Sequence, residues 1–231
     1  GEELGRDVEL VHAIEYAPGQ ATDTEVLDRR MRDIMPETDV QVRFSYPEGS
    51  VPAAISARAQ EADASMMVLG VARYNSVGDY FLGTAVDRII RGTSKPVIVV
   101  KNRPHSPYRK ILVATDFSDP SRGALDWVAT TFADAEIHLL HVFAVPFQAW
   151  NKAPYVAEEI EAEARAKMGE LLDDLPEDVH ERCRSYVQRG SLCSVANELV
   201  DDLGIDLVVA GSQGETGFRH ATIGSQASAL L

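Results

Sequence analysis

The sequence predicts an α/β protein of two tandem units, each an open parallel sheet with helices on both faces. Short apolar runs alternate with amphipathic segments of helical spacing along the 231 residues, and this alternation is typical of parallel sheets. Glycines also recur in one register, 141 residues apart. A proline-bearing linker at residues 102–109 divides the chain into predicted domains at 1–103 and 104–231.

In the first unit, runs rich in Val and Ile predict strands, and apolar residues at helical spacing predict helices. Pro52 lies early in one such helix, where a proline is tolerated. The strands are expected at residues 8–14, 40–46, 66–70 and 96–100, and the helices at 24–35, 50–64 and 84–91.

The second unit shows the same alternation. The strands are expected at residues 110–115, 137–143, 184–189 and 205–210, and the helices at 119–132, 158–175 and 194–203. In the long helix, Glu161–Arg165 and Glu163–Lys167 are spaced i,i+4, which indicates a solvated face.

Composition excludes several classes of function. The formal net charge is −14, which argues against a broad nucleic-acid surface and against docking on anionic lipid. No run approaches the roughly 18 apolar residues of a membrane helix, and the acidic start does not resemble a signal peptide. Cys183 and Cys193 form no metal-binding motif, so we expect reduced thiols and a cytoplasmic protein.

The two units repeat each other. An offset of 141 residues matches Gly49-Ser50 to Gly190-Ser191, Gly70 to Gly211, and Gly83-Thr84 to Gly224-Ser225. His12 corresponds to His141 at an offset of 129, because the second unit has a longer loop after residue 143. This pattern indicates a tandem duplication.

The repeat also predicts two gaps. The first unit has no counterpart of the strand at 110–115 or of the helix that follows it, and the second has no counterpart of the strand at 96–100. We therefore expect both units to be incomplete at the ends of this chain.

A glycine pattern follows the strand at 205–210: Gly211-x-x-Gly214, nine residues, then Gly224-Ser225. Glycines without side chains let a phosphate approach the backbone N–H groups closely. Gly224-Ser225 is expected to begin a helix, whose free N–H groups and dipole favour an anion. The alternative is a glycine-rich turn without chemical use.

Asp116 ends the first strand of the second unit. Ligands of open parallel sheets bind beyond the carboxyl ends of the strands, where the strand order reverses. At this position the Asp116 carboxylate could accept hydrogen bonds from ribose hydroxyls or from a base amino group. The equal alternative is an aspartate that only caps a helix or shapes a turn.

The segments Ile-Leu-Val-Ala-Thr-Asp116-Phe-Ser118 and Leu-Leu-His141-Val142, with the glycine pattern, resemble the universal stress protein family. The resemblance covers almost the whole chain as two copies. It implies an adenine nucleotide alpha hydrolase-like fold with strand order 3-2-1-4-5, a cytoplasmic location, pairing of units and possible homodimers. It also implies binding of ATP, with or without Mg²⁺, or of a related adenine nucleotide.

The resemblance also implies which residues contact the nucleotide. Ala114, Thr115 and Asp116 would line the adenine and ribose, and Val142 would offer backbone groups to the adenine. The phosphates would be held by Gly211, Gln213, Gly214, Gly224, Ser225 and Gln226. Gln213 and Gln226 depart from residues common in relatives. In the first unit Arg73 replaces the second glycine, so we expect no complete site there.

The sequence therefore favours a nucleotide-dependent regulatory module of the stress response. Two alternatives remain: a slow ATP hydrolase, or an adaptor that binds another small ligand or a protein. No Ser/His/Asp constellation or paired-carboxylate site is visible, and we name no catalytic residue. His138 and His141 are predicted on opposite faces of a strand and make a poor metal pair.

Overall fold

The computed structural model describes residues 4–15, 23–70, 82–101, 106–145, 155–211 and 230. The chain forms two compact units, Gly1–His105 and Ser106–Leu231. Each unit alternates strands with helices, which confirms the predicted α/β class with parallel sheets.

In its described residues, the first unit contains two separate pairs of parallel strands. Its elements are β1 (Val8–Val11), α1 (Thr24–Ile34), β2 (Val42–Ser45), α2 (Val51–Glu61), β3 (Met67–Gly70), α3 (Leu82–Gly92) and β4 (Val97–Val100). β1 pairs with β2, and β3 pairs with β4. The two pairs belong to different sheets.

The described part of the second unit forms one sheet of four parallel strands in the order β7-β6-β5-β8. Its elements are β5 (Lys110–Ala114), α4 (Asp119–Thr131), β6 (Glu136–Phe143), α5 (Tyr155–Asp173), α6 (Glu177–Glu181), β7 (Cys183–Arg189), α7 (Leu192–Leu203) and β8 (Leu207–Ala210). This order places the first strand of the unit in the interior of the sheet. In the predicted order 3-2-1-4-5, the place of the fifth strand stays a prediction.

Local sequence accounts for the ends of several helices. The Asp23 carboxylate accepts hydrogen bonds from the N–H groups of Glu25 and Val26 and so caps α1. α7 ends at Gly204, whose φ of 66° is left-handed and suits glycine. The short helix α6 was not predicted, because five residues carry too little periodicity for a helical pattern.

The second unit is covered on both faces of its sheet. Leu112 and Leu140 pack against α7 in one buried cluster. Their neighbours along the strands, among them Ile111 and Val113, point to the opposite face and are also fully buried. This close packing on both faces holds the strands, and therefore their carboxyl ends, in fixed positions.

None of the helices in the described part of the chain is long and apolar enough to cross a membrane. Cys183 is buried, Cys193 is half-buried, and neither forms a disulfide.

Candidate functional site

The candidate site lies at the carboxyl ends of β5, β6 and β8. β5 lies between β6 and β8, and its last residue, Ala114, is paired with Leu140 and Ala210. The chain continues from β5 through α4 to β6, whereas β8 returns on the other side of β5. The strand order therefore reverses beside β5, and in open parallel sheets ligands bind at such a reversal, in the crevice beyond the strand ends.

The Asp116 carboxylate shapes the turn that follows β5. It accepts hydrogen bonds from the N–H of Ser118 (3.2 Å) and from the Ser118 hydroxyl. Asp116 is half-buried and follows the end of β5 by two residues. The side chain thus has the role of a turn aspartate, and its position at the carboxyl end of β5 is the one predicted for a ribose contact.

The start of α4 is built from a network of hydroxyl groups. Ser118 is the N-cap, and the Ser121 hydroxyl donates to the Ser118 carbonyl at 2.9 Å. The Thr115 side chain is buried. Its hydroxyl oxygen lies 3.1 Å from the hydroxyl oxygen of Ser121 and accepts a hydrogen bond from the N–H of Phe117, with 3.0 Å between the two heavy atoms. Thr115 therefore supports the turn with its hydroxyl.

His141 fixes the same turn from β6. Its Nδ1 lies 2.9 Å from the Thr115 carbonyl oxygen. Because a carbonyl only accepts, Nδ1 carries the hydrogen in this contact. The His141 imidazole also lies against the ring of Phe117, with centroids 4.4 Å apart. Phe117 has a φ of 65°, a conformation that is rare for an aromatic residue.

Val142 directs its backbone toward the crevice. The Leu140 carbonyl accepts a hydrogen bond from Thr115, toward β5, and the Phe143 carbonyl accepts one from Gly190, toward β7. Since alternate residues of a strand face alternate neighbours, the N–H and C=O of Val142 face the β5 side, beyond the end of β5. The Val142 side chain packs on the core cluster under α7.

Gly211 approaches the start of α4 closely. A Cβ atom at this position would lie 3.0 Å from the carbonyl carbon and oxygen of Pro120 and from the Ser121 nitrogen. The absence of a side chain thus lets the end of β8 lie directly against the first turn of α4. This packing role was not predicted, and it brings Gly211 beside the turn that contains Asp116.

The predicted phosphate contacts Gln213, Gly214, Gly224, Ser225 and Gln226 lie outside the described residues, as does Arg73 of the first unit. The structure therefore describes five of the predicted site residues: Ala114, Thr115, Asp116, Val142 and Gly211. All five lie at the carboxyl ends of neighbouring strands in one sheet.

The sequence analysis missed the supporting roles of Phe117 and Ser121. It used His141 to mark the repeat and the family resemblance and weighed it as a metal ligand, but it did not predict that His141 holds the turn. A signal was present for Ser121, because Ser118-Asp-Pro-Ser121 combines an N-cap hydroxyl with a proline in the first turn. No local pattern could have paired Phe117 with His141, which lies on the next strand.

The first unit offers a different environment at the corresponding positions. His12 is exposed, and a Cβ added to Gly70 would meet no atom within 4 Å. Over the described ranges, no three or more His, Cys, Asp or Glu side chains form a group that could hold a metal ion.

The profile of the Universal stress protein family matches residues 2–101 and 107–231 of this chain. A comparison with curated proteins yields no significant match.

Solved structures with the same fold cover the whole chain. A putative universal stress protein from Pseudomonas aeruginosa UCBPP-PA14 matches with a TM-score of 0.61 at 15% identity, over 100% of this chain and 91% of its own. A universal stress protein from Archaeoglobus fulgidus matches with a TM-score of 0.60 at 15% identity, over 99% of this chain and 82% of its own. A universal stress protein solved in complex with cAMP matches less well, with a TM-score of 0.33 at 19% identity over 45% and 76%.

Proposed function

The chain belongs to the universal stress protein family, and on that premise we propose that its second unit binds an adenine nucleotide, with ATP as the first candidate. The observation that carries the proposal is the meeting of Asp116, the Val142 backbone and Gly211 at one topological reversal of the sheet. The glycine pattern that follows Gly211 supplies the phosphate-binding chemistry.

Each group has a role that suits its position. The Asp116 carboxylate can accept hydrogen bonds from two ribose hydroxyls while its other contacts hold the turn. The Val142 N–H and C=O, directed past the end of β5, can pair with the edge of the adenine ring. Gly211, Gln213, Gly214, Gly224, Ser225 and Gln226 would then surround the phosphates with N–H and side-chain donors.

The module would act by binding rather than by rapid turnover. A ligand that binds only the folded state stabilises it by about 2.7 kcal/mol at a hundredfold excess over Kd. Nucleotide occupancy would thereby shift the population toward the nucleotide-bound state and bias which partners the protein contacts. Mg²⁺ enters as the counter-ion of the triphosphate.

The proposal is tested with the full chain. Small molecules released from freshly purified protein are identified by mass spectrometry, and ATP is then titrated by calorimetry with and without Mg²⁺. We expect about one adenine nucleotide per chain. The absence of any bound nucleotide, with no heat at millimolar ATP, would overturn the proposal and favour an adaptor function.

A further inference from the structure

The hydrogen-bond ladder between β5 and β6 ends one bond before its pattern predicts. At the carboxyl end of the ladder, the Thr115 N–H donates to the Leu140 carbonyl at 2.8 Å. In a parallel ladder the carbonyl of the same residue accepts the next bond, from the residue two positions further along the neighbouring strand. That bond would join the Val142 N–H to the Thr115 carbonyl, and among the described residues it does not form.

The His141 side chain takes the place of the missing bond. Its Nδ1 donates to the Thr115 carbonyl oxygen at 2.9 Å, so a side chain of β6 satisfies the acceptor that the β6 backbone would otherwise satisfy. The Val142 N–H faces the same side of β6, beyond the end of β5. Because His141 occupies the Thr115 carbonyl, this N–H is kept for another acceptor.

The same imidazole holds both neighbours of Asp116. Thr115, which precedes Asp116, is bound through its carbonyl, and the ring of Phe117, which follows it, lies against the imidazole with centroids 4.4 Å apart. The φ of 65° at Phe117 is disfavoured by backbone sterics in a residue with a side chain. Contact with His141 therefore stabilises the turn that places the Asp116 carboxylate at the end of β5.

On the basis of the proposed function, we propose that His141 is a positioning residue that sets the specificity of the nucleotide site. It keeps the Val142 N–H for the ring nitrogen N1 of adenine, while the Val142 carbonyl accepts from the exocyclic amino group. It also holds Asp116 where the carboxylate meets the ribose hydroxyls. His141 acts through these two residues, so one side chain controls recognition of both the base and the sugar.

Two analogues of ATP separate these contacts. In inosine triphosphate, N1 carries a hydrogen and an oxygen replaces the amino group, so neither group suits the Val142 N–H and carbonyl. 2′,3′-Dideoxy-ATP lacks the hydroxyls that donate to Asp116. Because a buried polar group that loses its partner weakens binding, the unaltered chain should bind ATP about tenfold or more tightly than either analogue.

The experiment compares the full chain with His141→Leu in calorimetric titrations of all three nucleotides. The variant removes the donor to the Thr115 carbonyl and the ring contact with Phe117. We expect its affinity for ATP to fall by about tenfold and to come within about twofold of its affinity for the analogues, which should change little. A merely structural role would lower all three affinities alike and leave the preference for ATP intact.

Two further variants serve as controls. His141→Asn places an amide N–H close to the position of Nδ1, so it should restore the preference for ATP over inosine triphosphate. His12→Leu makes the leucine change at the corresponding histidine of the first unit, which is exposed, and it should leave all three affinities unaltered. Circular dichroism checks that each variant is folded.

The outcomes distinguish the role of His141 from nucleotide binding itself. If the unaltered chain bound no nucleotide, the proposed function would fail and the role of His141 with it. If the unaltered chain preferred ATP and His141→Leu kept that preference, the nucleotide site would stand and the role of His141 would be wrong. Equal affinity of the unaltered chain for all three nucleotides, or the same loss of preference in His12→Leu, would also overturn that role.

Discussion

The ring of Phe117 lies on the imidazole of His141, with centroids 4.4 Å apart and planes inclined at 31°. Phe117 holds a left-handed backbone conformation, φ 65°, which costs roughly 1–2 kcal/mol in an L-residue. The ring contact and the hydrogen bond from His141 to the Thr115 carbonyl offset that cost. β6 thus holds the turn in which Asp116 is presented.

His141→Leu should destabilise the second unit by about 1–3 kcal/mol, because it removes the hydrogen bond and leaves the Thr115 carbonyl without this donor. Both tryptophans, Trp127 and Trp150, lie in the second unit, so denaturant unfolding followed by tryptophan fluorescence reports this unit. The exposed His180 provides the control. A His180→Leu change that costs as much would show that the turn is not held as described.

Asp116→Asn should weaken ATP binding by about tenfold while the fold persists. The Asn oxygen can still accept the Ser118 N–H, so the turn is kept, but the charge that strengthens hydrogen bonds from the ribose is lost. Asp126→Asn makes the same change on the exposed face of α4 and should not alter affinity. Calorimetric titration with ATP measures both affinities. If Asp116→Asn bound ATP as tightly as the unaltered chain, Asp116 would not be a ribose-binding residue.

Gly214→Arg should abolish nucleotide binding without unfolding the unit, because it reproduces in the second unit the Arg73 of the first and fills the space proposed for a phosphate. Gly123→Arg adds the same side chain at an open, exposed position of α4. Retained ATP affinity in Gly214→Arg would contradict the phosphate assignment, provided that circular dichroism shows both variants folded.

Gly211→Ala should destabilise the second unit by about 1–3 kcal/mol. The new Cβ would lie 3.0 Å from backbone atoms of Pro120 and Ser121, which cannot rotate away as a side chain could. Gly123→Ala meets nothing within 4 Å and should stabilise α4 by roughly 0.5–1 kcal/mol. Opposite signs in unfolding experiments are therefore expected, and a neutral Gly211→Ala would refute the close packing.

His138 makes the stability of the second unit depend on pH. Its side chain is buried, and Nε2 has no hydrogen-bond partner within the described structure. Burial lowers the pKa of His138 most; the Glu136 carboxylate opposes this shift, and Lys110 and Arg184 add to it. The folded state therefore takes up a proton less readily than the unfolded chain, whose imidazole has a pKa of about 6.5.

The sign follows from linkage, because protonation favours the state with the higher pKa. The contribution of neutral His138 is complete above about pH 6.5 and is lost as the pH falls from there toward the folded-state pKa. His138→Gln should flatten this part of the stability profile. Tyr186→Phe removes the hydroxyl 3.1 Å from Nδ1 but keeps the imidazole, so it should retain the slope. If the stability of His138→Gln kept the same dependence on pH, another titrating group would be responsible for that dependence.

The predicted boundaries agree closely with the structure where local periodicity is strong. The helix predicted at 24–35 is observed as Thr24–Ile34, and the strand predicted at 110–115 as Lys110–Ala114. The helix at Glu177–Glu181 was missed because it is too short for a pattern. The positions of Asp116 and Gly211 just beyond single strands were predicted from local sequence, whereas the contacts that join different strands were not.

The sequence by itself determined the strands and the longer helices in their order, the duplication, and the positions of Asp116 and Gly211 just beyond strand ends, because these depend on local periodicity and backbone conformation. Only the tertiary structure decided that the Thr115 hydroxyl supports a turn, that His141 holds Phe117, and that Gly211 packs against α4. The same holds for the two separate strand pairs of the first unit. Such contacts join residues far apart in the chain, and they depend on the register between strands, which local patterns do not specify.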